Sequence, residues 1–199
     1  MTSPYNGQPT SNWKEITQQL INNHPLNEKE LVDVVLTSWK SIFASRFGNA
    51  GFTIGKHIFP KPQIMGFLLH ELIPLELESR YQGLWNIDKY KIDKDCVFTP
   101  DNYSSFEIKT SSNPTKIFGN RSYAQANLTS SNARKSKDGF YLTVNFEKFD
   151  KNDTQPKIKL IRFGWLDSSD WRGQKAATGQ QSNLPPEIYD GKLKLIYKL

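Results

Sequence analysis

A chain of 199 residues with 37% hydrophobic content can bury one ordinary core, and its 26 Lys and Arg against 20 Asp and Glu leave a formal charge of +6 and a pI near 9.3. That balance favours a polyanionic partner without naming one. The single cysteine, Cys96, excludes an internal disulfide and a cysteine-rich zinc site, and no apolar run approaches the ~20 residues a bilayer requires, so one domain over 1–199, cytoplasmic and off the membrane, is expected.

In chain order, residues 1–10 are rich in Pro, Gly, Asn and Ser and read as a mobile tail. A helix over 12–23 follows, with Trp13, Ile16, Leu20 and Ile21 at helical spacing, and His24-Pro25 ends it. Asn27 with Glu30 three residues later forms a capping box for a longer helix whose Leu31, Val34, Val35, Ser38, Ile42 and Phe43 share one face before Gly48. Together 11–48 make a helical scaffold. A third helix, strongly apolar, should start near Pro62 and be kinked or ended by Pro74. Residues 95–109 read as a hairpin, about 120–135 as a polar helix or loop, and "GFYLTVNFEKF" and "KIKLIRFGWL" as two further strands. A polar stretch, "DSSDWRGQKAATGQQSNLPP", then precedes a last short strand, "KLKLIYK".

The hairpin carries the chemistry. On a strand, Glu107 and Lys109 face one way and Phe106 and Ile108 the other, while upstream Cys96 and Phe98 are the apolar alternates of Asp95, Val97 and Thr99. Pro100-Asp101-Asn102 is turn chemistry. Folded about that turn, the chain sets Asp95 across from Glu107, whereas Asp101 stays at the tip, roughly 20 Å from Glu107 at ~3.3 Å per residue. Two carboxylates share one magnesium ion only if each places an oxygen ~2.0–2.2 Å from it, so Asp95 is the favoured acidic partner and Asp101 the alternative. The bland reading of the same residues is a solvated strand face with a cross-strand charge pair.

Asp-(x)n-Glu-x-Lys on a hairpin followed by a helix and another strand resembles the PD-(D/E)XK nuclease superfamily. Three longer strings, "FEIKTSS", "IFGNRSYAQ" and "FGWLDSSDWRGQKAATGQQ", are similar more narrowly to type II restriction endonucleases of the ScaI type, and the resemblance covers about 60–185. It implies an α/β, restriction endonuclease-like core over 60–165, with a mixed central sheet flanked by helices. It also implies Mg2+-dependent, sequence-specific cleavage of double-stranded DNA that leaves 5′-phosphates. Since one such site hydrolyses one strand, cutting both needs two copies related by a two-fold axis or a re-binding event, and a homodimer is expected. Asp95 and Glu107, with the Ile108 carbonyl, would hold the metal, and Lys109 would orient the attacking water. Glu71, on the third helix, would approach the metal as the superfamily's upstream glutamate often does; as a plain residue it belongs to a polar stripe with Gln63 and His70. The departure from the pattern is Asp101, a second candidate for the first acidic position.

Side chains able to read base edges or hold phosphates gather in two segments. One holds Asn120, Arg121, Ser122, Tyr123 and Gln125, followed by Arg134 and Lys135; the other, within 166–185, holds Arg172, Gln174, Lys175, Thr178, Gln180 and Gln181. Each has an ordinary reading as a polar helix start or a solvated loop. A junction-resolvase type of repair or recombination nuclease, and a catalytically silent DNA-binding module, are the competing functions; the first would read DNA shape, the second would bind without cutting.

Overall fold

The computed structural model describes residues 2–120, 122, 136–150, 154–174 and 180–199. Helix α1 (Trp13–Asn22) buries Thr17 and Ile21, and α2 (Glu28–Ala44) buries Leu31, Val34, Val35, Ser38, Trp39 and Ile42. The expected capping box opens α2: the Asn27 side chain accepts from the Glu30 amide at 3.0 Å, and the Asn27 amide donates back to Glu30 at 2.8 Å. The first residues are anchored rather than loose, in contrast to the tail expected over 1–10. Tyr5 is buried, its hydroxyl 2.8 Å from Thr17 Oγ1, and Ser3 Oγ donates to Asp167 at 2.8 Å.

Helix α3 (Pro62–Arg80) runs through Pro74 instead of stopping there. The proline removes the N–H that would bond the His70 carbonyl, but the turn beyond it is held from outside. Leu77 is buried, and Arg80 reaches both Glu76 and Asp33 of α2 at 2.6 Å. Tertiary packing therefore overrides a local helix breaker.

The main sheet has the order β1-β2-β3-β5-β6-β9, built from β1 (Trp85–Ile87), β2 (Cys96–Phe98), β3 (Phe106–Ser111), β5 (Gly139–Phe146), β6 (Ile158–Leu166) and β9 (Lys194–Lys198). Only β3 and β5 run parallel; the other neighbours are antiparallel. Alternation divides these strands cleanly. Phe106 and Ile108 of β3, and Phe140, Leu142 and Val144 of β5, join the core that contains α1, α2 and α3, whereas Tyr141 packs in a second cluster with Ile117, Leu166, Trp171 and Ile188. His24 sits in the first core, 4.8 Å from the ring centres of both Phe140 and Phe163. Burial lowers its pKa, and the tautomer with a proton on Nε2 donates to the Ser104 carbonyl at 2.9 Å while Nδ1 accepts from the Leu26 amide at 3.2 Å. It is a core histidine.

A second sheet, β4-β8-β7, joins Phe118–Asn120, Gln181–Asn183 and Arg172–Gly173. Sixty residues of sequence separate β4 from β8, and the short helix α4 (Pro186–Gly191) leads from this sheet to β9. The polar stretch after Trp171 is thus partly ordered by pairing with the segment that follows β3.

Candidate active site

Strand β2 meets β3 with Cys96 opposite Phe106, and the same register continued by one residue sets Asp95 opposite Glu107. The pairing is the one the turn chemistry predicts. Asp101 stays outside it: its carboxylate accepts from the Tyr103 amide at 2.8 Å and from Ser104 Oγ at 3.0 Å, capping a 3-10 turn at Asn102–Ser104. The Pro-Asp pair is spent on the reversal.

The acids are not a solvated strand face. Asp95 is 6% exposed and Glu107 1%, and two buried carboxylates this close require compensation. Asp95 Oδ2 accepts from the Ile108 amide at 2.7 Å and lies 3.0 Å from His70 Nε2. Two elements, β3 and α3, therefore fix the orientation of one carboxylate. Glu107 is bracketed by ammonium groups: Lys94 Nζ is 3.6 Å from Oε1 and Lys109 Nζ 3.7 Å from Oε2. Lys109 also donates to the Ile108 carbonyl at 3.2 Å. The Tyr141 ring, contributed by the parallel neighbour β5, lies 5.7 Å from Lys94 Nζ and 6.0 Å from Lys109 Nζ, where its face adds cation–π attraction to both.

The structure thus brings Asp95, Glu107, Ile108 and Lys109 together. It does not bring Glu71. That side chain lies on the exposed stripe of α3 with Ile64, Phe67 and Leu75, while His70, one residue earlier and about 100° round the helix, turns to Asp95. Helix α3 can lie this close because Gly66, one turn before His70, has no side chain; a Cβ there would stand 2.6 Å from Thr110 Oγ1 of β3. His70 and Lys94 are the residues that sequence reading missed. The signal for His70 was its i+4 spacing from a glycine on an apolar helix, and Lys94 sat beside the favoured aspartate.

As a metal site the donor set is all oxygen: two carboxylates and a main-chain carbonyl. Among the described residues no group of three or more His, Cys, Asp or Glu could hold an ion. The set fits Mg2+, which takes one or two carboxylates and fills its remaining positions with water and substrate phosphate.

Beside these residues a cleft of about 580 Å3 is lined by Gly66, Phe67 and His70 of α3, Thr110 and Ser111 of β3, and Asn120 and Gln181 of the small sheet. Asn120 pairs with Gln181 across that sheet, and the Gln174 amide donates to the Gln181 carbonyl at 3.0 Å. Two segments singled out separately for polar readout therefore meet at one wall of one cleft. Gln180 and Arg172 are exposed, Arg172 beside Glu187 at 3.1 Å, and the Ser122 carbonyl accepts from Lys137. Arg121, Tyr123, Gln125, Arg134, Lys135, Lys175 and Thr178 lie outside the described residues.

A mixed sheet that presents two buried acids and a lysine from adjacent strands, with helices packed against it, is the restriction endonuclease-like, PD-(D/E)XK class of fold. The chain belongs to the ScaI restriction endonuclease family, whose model matches residues 3–197. The type II restriction enzyme ScaI of Streptomyces caespitosus is 49% identical over 196 residues, covering 98% of this chain and 85% of that protein. No solved structure matches the chain.

Proposed function

We propose that this type II restriction endonuclease hydrolyses both strands of duplex DNA in a Mg2+-dependent reaction, leaving 5′-phosphates, through Asp95, Glu107 and Lys109. The observation that carries the reading is the buried pairing of Asp95 with Glu107 across β2 and β3, flanked by lysines that stand off at 3.6 and 3.7 Å rather than closing on the carboxylates. Asp95, Glu107 and the Ile108 carbonyl would hold the ion. When bound, Mg2+ supplies charge stabilisation at the scissile phosphate and acidifies a water for in-line attack. Lys109 positions that water and offsets phosphate charge. The Ile108 amide and His70 keep the Asp95 carboxylate turned for its task.

Hydrolysing two strands at one address calls for two such sites or for re-binding of one, and we infer the former, a homodimer related by a two-fold axis on a palindromic sequence. Among the described residues no helix is long and apolar enough to cross a membrane, and we place the enzyme in the cytoplasm, where its DNA substrate would be. Incubation with a long duplex and Mg2+, followed by sequencing of fragment ends, should return one recurring sequence with 5′-phosphates. Chelation should abolish cutting, and Ca2+ should support binding with little cleavage. Full activity in chelator would remove the metal site, and scattered or junction-bound ends would favour the resolvase reading.

For readout we place Asn120, Arg121, Ser122, Tyr123, Gln125, Gln174, Thr178, Gln180 and Gln181 at base edges or the groove floor, and Arg134, Lys135, Arg172 and Lys175 at phosphates. Gln181→Ala should weaken binding to the cognate duplex by ~1–3 kcal/mol and spare a scrambled one, because a lost base contact costs only where that base is present. Lys135→Ala should weaken both alike and flatten the salt dependence. Competition binding in Ca2+ at a single salt concentration compares them. Equal losses on both duplexes for Gln181→Ala would assign this cleft wall to the backbone.

A further inference from the structure

Lys94 is a buried ammonium at the heart of the site, and the Asp-(x)n-Glu-x-Lys pattern gives it no part. Its side chain is 8% exposed and its Nζ lies 3.6 Å from Glu107 Oε1, on the opposite carboxylate oxygen from Lys109. Lysines are almost never this buried unless something holds them. Here the holders are specific. Nζ donates to the Ser136 carbonyl at 2.5 Å and lies over the Tyr141 ring, and the end of the side chain rests against Gly139. A Cβ on Gly139 would come within 3.2 Å of both Lys94 Cε and Nζ, and Gly139 has a φ of +146°, a conformation that also favours glycine. Glycine, ring and carbonyl together form a seat for one ammonium.

We propose that Lys94 is a fixed cation of the site, standing where a second divalent ion would otherwise sit, so that each protomer takes one divalent ion. The proposal rests on the metal-dependent reading above and deepens it. Two-metal sites place their ions ~3.5–4 Å apart, both near a shared carboxylate. An ion bound to Glu107 Oε1 at an oxygen distance of ~2.1 Å would lie no more than about 6 Å from an ammonium already 3.6 Å from that oxygen. Repulsion at such range in a buried setting is large compared with the same pair in water. Its seat at Ser136, Tyr141 and Gly139 fixes the Lys94 ammonium on that side of Glu107, whereas Lys109, 3.7 Å from Oε2 and donating to the Ile108 carbonyl, would give up that carbonyl to the single ion on the side of Asp95. Lys94 acts through Glu107 and is a positioning residue.

The test is calorimetric Ca2+ binding to the full-length protein bound to the duplex defined by its fragment ends, together with single-turnover cleavage in Mg2+. The wild-type complex should bind one Ca2+ per protomer. Lys94→Gln removes the charge while keeping a polar tip beside Ser136, and should raise the count to two while slowing cleavage by about a hundredfold. A purely structural lysine would lower the melting temperature without raising the count. Two ions per protomer in the wild-type complex would overturn the proposal on its own, even if Lys94→Gln failed to fold. A count of one in folded Lys94→Gln would overturn it as well. No bound Ca2+ in the wild type would remove the metal site itself, and this inference with it.

Discussion

Asp95→Asn and Glu107→Gln should each reduce cleavage by about a thousandfold, in the range expected when a group that stabilises transition-state charge is lost, whereas Asp101→Asn should leave the rate within about twofold. The amides keep shape while removing charge. Asn at 95 can still accept from the Ile108 amide, which the carboxylate now does at 2.7 Å, so folding is preserved while a metal-binding carboxylate is lost. Glutamine is the better test at 107 because alanine would leave Lys94 and Lys109 facing a void in a position only 1% exposed. At 101 the asparagine oxygen retains the Tyr103 contact and loses at most the Ser104 hydroxyl, a change worth ~1 kcal/mol of stability. Rates in Mg2+, with melting curves alongside, decide it. If Asp101→Asn stops cleavage and Asp95→Asn does not, the register of β2 on β3 does not describe the working enzyme.

That register was legible because it rests on two local signals, a turn dipeptide and period-two alternation, which act over fifteen residues and need no tertiary partner. The capping box at Asn27 is of the same kind. What escaped was set at a distance. The continuation of α3 past Pro74 depends on Arg80 meeting α2, forty-three residues upstream at Thr37 and forty-seven at Asp33. The exchange of Glu71 for His70 depends on which face of α3 turns to β3, and an all-round apolar helix has too weak a polar stripe to announce that. Lys94 could not be placed by alternation, since its partners come from Ser136 and Gly139, in and after a long crossover. The small sheet is the clearest case: Asn120 and Gln181 were each read as polar contact residues, but their pairing is a non-local event with no local pattern behind it.

Lys192→Met should cost about 3–5 kcal/mol of stability, the usual penalty for stranding buried carboxylates, yet leave metal-dependent cleavage to whatever protein remains folded. The molecule contains a second group of two acids and a lysine: Lys192 Nζ lies 2.7 Å from Asp167 Oδ2 and 2.8 Å from Asp170 Oδ1, all three largely buried. Composition alone would make it a rival catalytic site. Distance separates the two. Around Glu107 the ammonium groups stand off by 3.6 and 3.7 Å, whereas Lys192 is closed directly onto both carboxylates, donates to each, and is capped by the Tyr5 and Trp13 rings at 4.4 and 4.7 Å. The closed triad ties the amino-terminal residues and the end of β6 to the start of β9, and is structural. Burial raises the pKa of Asp170 in spite of its bonds to Lys192, and without the ammonium that carboxyl should take up a proton more readily still. A carboxyl whose folded pKa lies above its unfolded value binds more protons when folded, so stability falls as pH rises. The deficit of Lys192→Met should therefore be smaller near pH 5 than near pH 8, which urea unfolding at the two values would measure. A fully folded Lys192→Met protein that had lost cleavage would instead move this triad into the catalytic machinery.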